Sequence, residues 1–143
     1  MKRLALTRAY FGSLLLLAGC MTFPPPWSSV ADLPTRTREQ LIDEVGRARH
    51  AGEHEHALRV LDELAARSGW SKEEVARIRD RRIWFGQKRE QFIASWGYPD
   101  DHSNHTSPRG CTEVWHYYRG LDRHYAVTIE NGFVAGLSDL GRW

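Results

Sequence analysis

Four side chains able to bind a metal or attack a carbonyl fall in one stretch of the sequence: His102, His105, Cys111 and His116. Three imidazoles and a thiolate are donors enough for a closed tetrahedral zinc site. Their spacing fits no standard zinc pattern, however, and the intervening Ser107-Pro108-Arg109-Gly110 would first have to be ordered. Cys111 and His116 also have the makings of a thiol nucleophile and its base, a pair that needs an orienting third group and an oxyanion site. Nothing in the sequence supplies an oxyanion site. His50 and His54 stand four apart, a chelating distance on a helix, but Gly52 lies between them and His56 follows, so all three read as exposed polar turn residues. Asp100 and Asp101, directly after Pro99, read as loop-capping carboxylates and not as an acid and base pair. There is no G-x-S-x-G elbow, no H-E-x-x-H helix and no phosphate-cradling glycine loop. The residues therefore favour a protein that performs no chemistry and implies no cofactor, with a metal-binding or thiol-active protein as the alternative.

The His and Cys quartet falls where the hydrophobic period changes. From Thr112 onward Val114, His116 and Tyr118 alternate with Glu113, Trp115 and Tyr117, and then Tyr125, Val127 and Ile129 alternate with Ala126, Thr128 and Glu130. Asn131-Gly132 followed by Phe133-Val134-Ala135-Gly136-Leu137 predicts a tight hairpin, because both turn positions accept positive φ. The result is a three-stranded antiparallel meander preceded by a polar loop.

Upstream the period is helical. Thr37-Arg38-Glu39-Gln40 has capping-box form, and Leu41, Val45 and Ala48 follow at helical spacing, predicting a helix from Arg38 to His50. A second helix from Glu55 to Arg67 places Leu58, Leu61, Leu64 and Ala65 on one face before Ser68-Gly69 ends it. The turn between them, Ala51 to Leu58, resembles that of a tetratricopeptide repeat, but no second copy follows, so the pair reads as one docked hairpin. Ser71-Lys72-Glu73-Glu74 is a second capping box, and Val75, Ile78, Arg82 and Phe85 predict a third helix ending before Gly86. A short fourth helix, Glu90 to Trp96, carries Phe92, Ile93 and Trp96 and is stopped by Gly97-Tyr98-Pro99.

The N-terminus has a different character. Lys2, Arg3 and Arg8 precede an apolar run from Ala9 to Leu17 that is too short to span a bilayer. The run ends in Leu17-Ala18-Gly19-Cys20, which looks like the lipobox of a bacterial lipoprotein. That resemblance implies a signal peptide over residues 1–19 and a diacylglycerol-modified Cys20, whose two or three acyl chains would make attachment to a membrane essentially permanent. Met21, in place of an inner-membrane retention Asp, implies outer-membrane sorting and a periplasm-facing domain. The proline-rich Thr22 to Pro34 reads as a polyproline-type tether. Without residues 1–19 the chain carries 17 Lys and Arg against 18 Asp and Glu, so charge gives no reason to expect nucleic acid as a partner. The single remaining Cys111 leaves no intramolecular disulfide to form in an oxidising periplasm.

Gly86, Phe92, Trp96, Gly97 and Pro99, then Trp115 and Tyr117, then Asn131-Gly132-Phe133-Val134 follow one another in an order that resembles the SmpA/OmlA (BamE-like) family of small outer-membrane lipoproteins. The resemblance covers Gly86 to Leu137. It implies a core of Phe92, Trp96, Trp115, Ile129 and Val134 between helix and sheet. It also implies envelope-protein partners, including the outer-membrane barrel assembly machinery. Gln87 and Lys88 stand where that family has Met and a capping Ser or Thr, so the start of the fourth helix is expected to be poorly capped.

Trp115, Tyr117, Tyr118, Tyr125, Phe133 and Trp143 are more aromatics than one face of a three-stranded sheet needs to bury. With Arg119, Arg123 and Arg142 beside them they have the composition of a protein-binding patch, in which Trp115, Tyr117 and Tyr118 are the expected contact residues. The expected architecture is α+β: residues 20–35 as anchor and tether, 36–69 as the helical hairpin, and 70–143 as a module of two helices packed on a three-stranded antiparallel sheet. The expected function is non-catalytic protein binding at the outer membrane, in outer-membrane protein assembly or envelope integrity. A periplasmic inhibitor-type module is a further alternative.

Overall fold

The computed structural model describes residues 27–120 and 123–141. The signal peptide, Cys20, most of the proline-rich tether, Arg142 and Trp143 lie outside the described residues. The fold is α+β. A 3-10 helix, Val30–Thr35, leads to α1 (Arg38–Ala51), α2 (His54–Ser68), α3 (Lys72–Arg79) and α4 (Arg89–Trp96). Strands β1 (Asp101–Ser107), β2 (Gly110–Arg119), β3 (Arg123–Glu130) and β4 (Phe133–Gly141) follow, forming an antiparallel sheet in the order β1-β2-β3-β4.

Local chemistry sets the helix starts. The Thr37 hydroxyl accepts from the Gln40 N–H at 3.3 Å while the Gln40 side chain accepts from the Thr37 N–H at 2.9 Å. Ser71 and Glu74 repeat the exchange at 3.1 and 2.8 Å. At α4 the Lys88 ammonium has no lone pair to offer, and the helix start is held differently. The Gln91 side chain accepts from the Lys88 N–H at 3.0 Å, and the Arg89 N–H donates to Gly132 in the β3–β4 turn at 2.8 Å. That turn has Asn131 at φ 51 and Gly132 at φ 84, the mirror-image turn that Asn-Gly permits.

Two apolar cores meet at α4. Leu41, Val45, Ala57, Leu61, Leu64, Ile78 and Ala94 are buried between the 3-10 helix, α1, α2, α3 and one side of α4, while Phe92, Ile93, Trp115, Tyr117, Val127, Ile129 and Val134 are buried between α4 and the sheet. Ile42 packs against both. The helix α1 crosses α4 at Gly46, where a Cβ would lie 2.6 Å from Ile93 Cγ2 and 2.8 Å from Tyr98 Cε2. Gly97 stops α4 at φ 87, and a Cβ there would lie 2.7 Å from the His50 amide nitrogen.

Four expectations are corrected. The polar loop before β2 is a fourth strand, β1. Its seven residues pair with β2 through the Pro108-Arg109 turn, and none is buried, so no apolar alternation marks it. Of the two helices expected on the sheet, α4 packs on it directly; α3 and most of α1 stand behind α4. Next, α3 ends at Arg79, because Arg81 takes φ 59, so that Phe85 is 76% exposed instead of lying on a buried stripe. Finally, the extended tether does not reach Pro34. Leu33 of the 3-10 helix is buried, and the Arg67 guanidinium donates to the carbonyls of Pro34 (2.9 Å) and Arg36 (2.8 Å).

Candidate partner-binding surface

The side chains expected to meet a partner divide between the two faces of the sheet. In β2, Trp115 and Tyr117 share the helix-facing row with Val127 and Tyr125 of β3, their register partners. Trp115 is 2% exposed, donates from Nε1 to Glu113 at 2.9 Å, and has the Arg89 guanidinium 5.0 Å above its ring. Tyr117 is 1% exposed, donates its hydroxyl to the Gly97 carbonyl at 2.9 Å, and stands edge-on to Phe92 and Trp96. Burial pushes the Tyr117 phenol well above the usual tyrosine range. Both side chains are framework, which corrects the expectation that they contact a partner. Tyr118, on the opposite face, is half-exposed and stacks on His124 with ring centroids 4.7 Å apart.

Strand register also takes the metal-donor quartet apart. His102 and Cys111 stand opposite Trp115 and Thr106 on the helix-facing row, whereas His105 and His116 stand opposite Thr112 and Asp101 on the outer row. Within the described residues no three His, Cys, Asp or Glu side chains are placed to hold a metal ion. His116 instead meets His124, Nδ1 to Nε2 at 2.9 Å, one ring donating to the other. Cys111 is exposed, and its amide donates to Asn131 Oδ1 at 3.1 Å. Asp100 accepts from the Tyr118 amide at 2.7 Å, and Asp101 accepts from the His102 amide at 2.8 Å. His50 donates from Nδ1 to the Tyr98 carbonyl at 3.0 Å.

His56 is not an exposed turn residue. It is 6% exposed on α2, with Nε2 2.8 Å from Oε1 of Glu44, itself 4% exposed on α1. The same carboxylate accepts from the Ser28 amide at 2.9 Å and the Ser28 hydroxyl at 2.8 Å, and Trp27 lies 5.3 Å from the His56 ring. Burial alone would raise the Glu44 pKa; the bonds from Ser28 and His56 outweigh it and hold the carboxyl below its ordinary range. This clamp fastens the end of the tether to the helical hairpin. A signal for it was present: Glu44 falls between Leu41 and Val45 on the apolar stripe of α1, and His56 adjoins Ala57 on that of α2.

Among the described residues both edge strands, β1 and β4, are unpaired on their outer sides, but β1 carries no apolar side chain, and the apolar edge is that of β4. Its first two residues are covered by the chain at Gly86–Lys88, with Gly86 N–H to Val134 O and Val134 N–H to Gln87 O, both 2.8 Å. From Ala135 to Gly141 no other described strand pairs with this edge. Leu137 and Leu140 are about half-exposed on it, as is Phe133 at its start, and the more exposed Phe85 lies next to the covering segment. Phe133 also borders an open cleft of about 570 Å³ lined by Ile42, Asp43, Arg89, Ile93 and Tyr98. Unpaired backbone flanked by exposed apolar side chains is a template for an incoming strand.

No described helix is long and apolar enough to cross a membrane. No protein-family model, curated protein or solved structure matches the chain.

Proposed function

We propose that this chain is a lipid-anchored, periplasm-facing outer-membrane protein that performs no chemistry and binds an extended segment of another envelope protein along β4. The open β4 edge, with Phe85, Leu137 and Leu140 exposed around it, is the observation that carries the reading. An added strand would gain main-chain hydrogen bonds along Ala135 to Gly141 and apolar contacts to alternate side chains. The lipobox-like Leu17-Ala18-Gly19-Cys20 supports the anchor, and the resemblance to SmpA/OmlA lipoproteins supports partners in the barrel assembly machinery.

Co-purification from gently cross-linked native membranes tests this reading. The wild-type protein is expected to bring down an envelope protein that Leu137→Asp does not recover, with both folded and equally abundant. Equal recovery by the two would overturn the assignment of the edge.

A further inference from the structure

At the C-terminal end of α4, arginines from separate parts of the chain converge, two of them with their guanidinium groups on the helix itself. Arg49 lies in the last turn of α1, Arg79 ends α3, Arg81 lies in the connector to α4 and Arg119 ends β2. Helix carbonyls draw two of them in: Arg49 Nε donates to Ala94 O and Arg119 Nη2 to Trp96 O, each at 3.2 Å. The backbone of Arg81 is fixed beside them, its carbonyl accepting from Trp96 Nε1 at 2.7 Å. A helix C-terminus offers about half an elementary negative charge, far short of balancing three cations.

The acidic groups nearby are otherwise engaged. Asp62 pairs with Arg79, Asp80 lies 3.8 Å from Arg82, and Asp100 holds the Tyr118 amide and lies 4.0 Å from His50. Among the described residues no ion pair involves Arg49, Arg81 or Arg119. Arg49 is only 3% exposed, yet its Nη2 has no hydrogen-bond partner among those residues. Burial, with Arg81 and Arg79 close by, brings the Arg49 guanidinium down to about 10, and burial and Arg119 lower Arg81 in turn. A buried cation with an unused donor among like charges is a costly arrangement unless a counter-ion completes it.

We propose that Arg49, Arg81 and Arg119 form a binding site for a phosphate-class oxyanion, which accepts the unused Arg49 N–H and neutralises the cluster. A tetrahedral oxyanion presents oxygens in several directions and takes planar donor forks from three sides, whereas one carboxylate matches a single fork. The phosphate is either free or part of a phospholipid headgroup.

The test uses the full-length protein in uncharged detergent, melted in sodium phosphate and in sodium chloride of equal ionic strength. Phosphate is expected to raise the wild-type melting temperature above the chloride value, and Arg81→Gln and Arg119→Gln each to weaken phosphate affinity about tenfold or more. Arg81→Gln is further expected to be no less stable than wild type in chloride, since it removes a like charge; this separates loss of ligand from loss of fold. No phosphate effect beyond chloride, or unchanged affinity in both variants, would overturn the proposal. Reconstitution into phosphatidylcholine vesicles with and without phosphatidic acid then separates the sources. Stabilisation by phosphatidic acid that Arg81→Gln abolishes assigns a headgroup, and a phosphate response without it assigns the free anion.

Discussion

Replacing Glu44 by Ala removes the acceptor on which three contacts converge. The Ser28 amide, the Ser28 hydroxyl and His56 Nε2 all lie within 2.9 Å of its two oxygens, at a site where Glu44 and His56 are both almost fully buried. Ser28 is near enough to the surface to find water, but His56 is not. Leaving a buried polar group without its charged acceptor costs about 1–3 kcal/mol, and with the two Ser28 bonds also lost but partly replaced by water the expectation is about 2–4 kcal/mol. Glu44→Gln keeps the shape and one acceptor, loses the charge-assisted part, and is expected to cost about half as much. Urea unfolding gives the free energy, and hydrogen exchange of the Ser28 amide reports the local event, because loss of the clamp exposes that amide without unfolding the sheet. The clamp's contribution is present above the ordinary carboxylate pKa of about 4.3. Because the folded-state pKa of Glu44 is depressed, that contribution is lost as pH falls through the depressed value. The reasoning fails if Glu44→Ala is within about 0.5 kcal/mol of wild type, the usual range for a surface change, or if Ser28 exchange does not change.

Further outcomes follow from close packing and from the anchor. Gly46→Ala puts a methyl 2.6 Å from Ile93 and 2.8 Å from Tyr98; overpacking of about 1–3 kcal/mol outweighs a helix-propensity gain of about 1 kcal/mol, so calorimetry should show a lower melting temperature. Tyr117→Phe deletes the buried bond to Gly97 and is expected to cost about 1–2 kcal/mol in chemical denaturation, leaving partner recovery intact in the folded variant. Metabolic labelling with a clickable fatty acid is expected to tag the wild-type protein and not Cys20→Ser, and an unlabelled wild type would refute the lipid anchor.

Legibility in the sequence followed the physics of each element. Helix starts at Thr37 and Ser71 were readable because a capping box is a local exchange between residues three apart. The end of α3 was not. Arg82 and Phe85 continue the helical count, and only the left-handed Arg81 breaks it, a conformation that nothing in its side chain announces. Strand β1 was illegible for a related reason, since Asp101 to Ser107 bury nothing and are ordered by the turn beyond them. Trp115, expected both in the core and at a partner contact, lies in the core, and Tyr117 joins it, because the two-residue alternation sets both in one row with Glu113, across from the apolar row of β3. The Glu44 and His56 clamp was legible in principle, as charge set into two apolar stripes. The arginine cluster was not, because tertiary structure alone brings Arg49, Arg81 and Arg119 to one end of α4.

Site-specific photo-cross-linking in the native host tests the central claim most directly. A photoreactive side chain at Leu137 is expected to give an adduct with an envelope protein, and one at Glu55, on the exposed side of α2, is expected to give none. Adducts at Glu55 with none at Leu137 would contradict the claim that β4 is the binding edge.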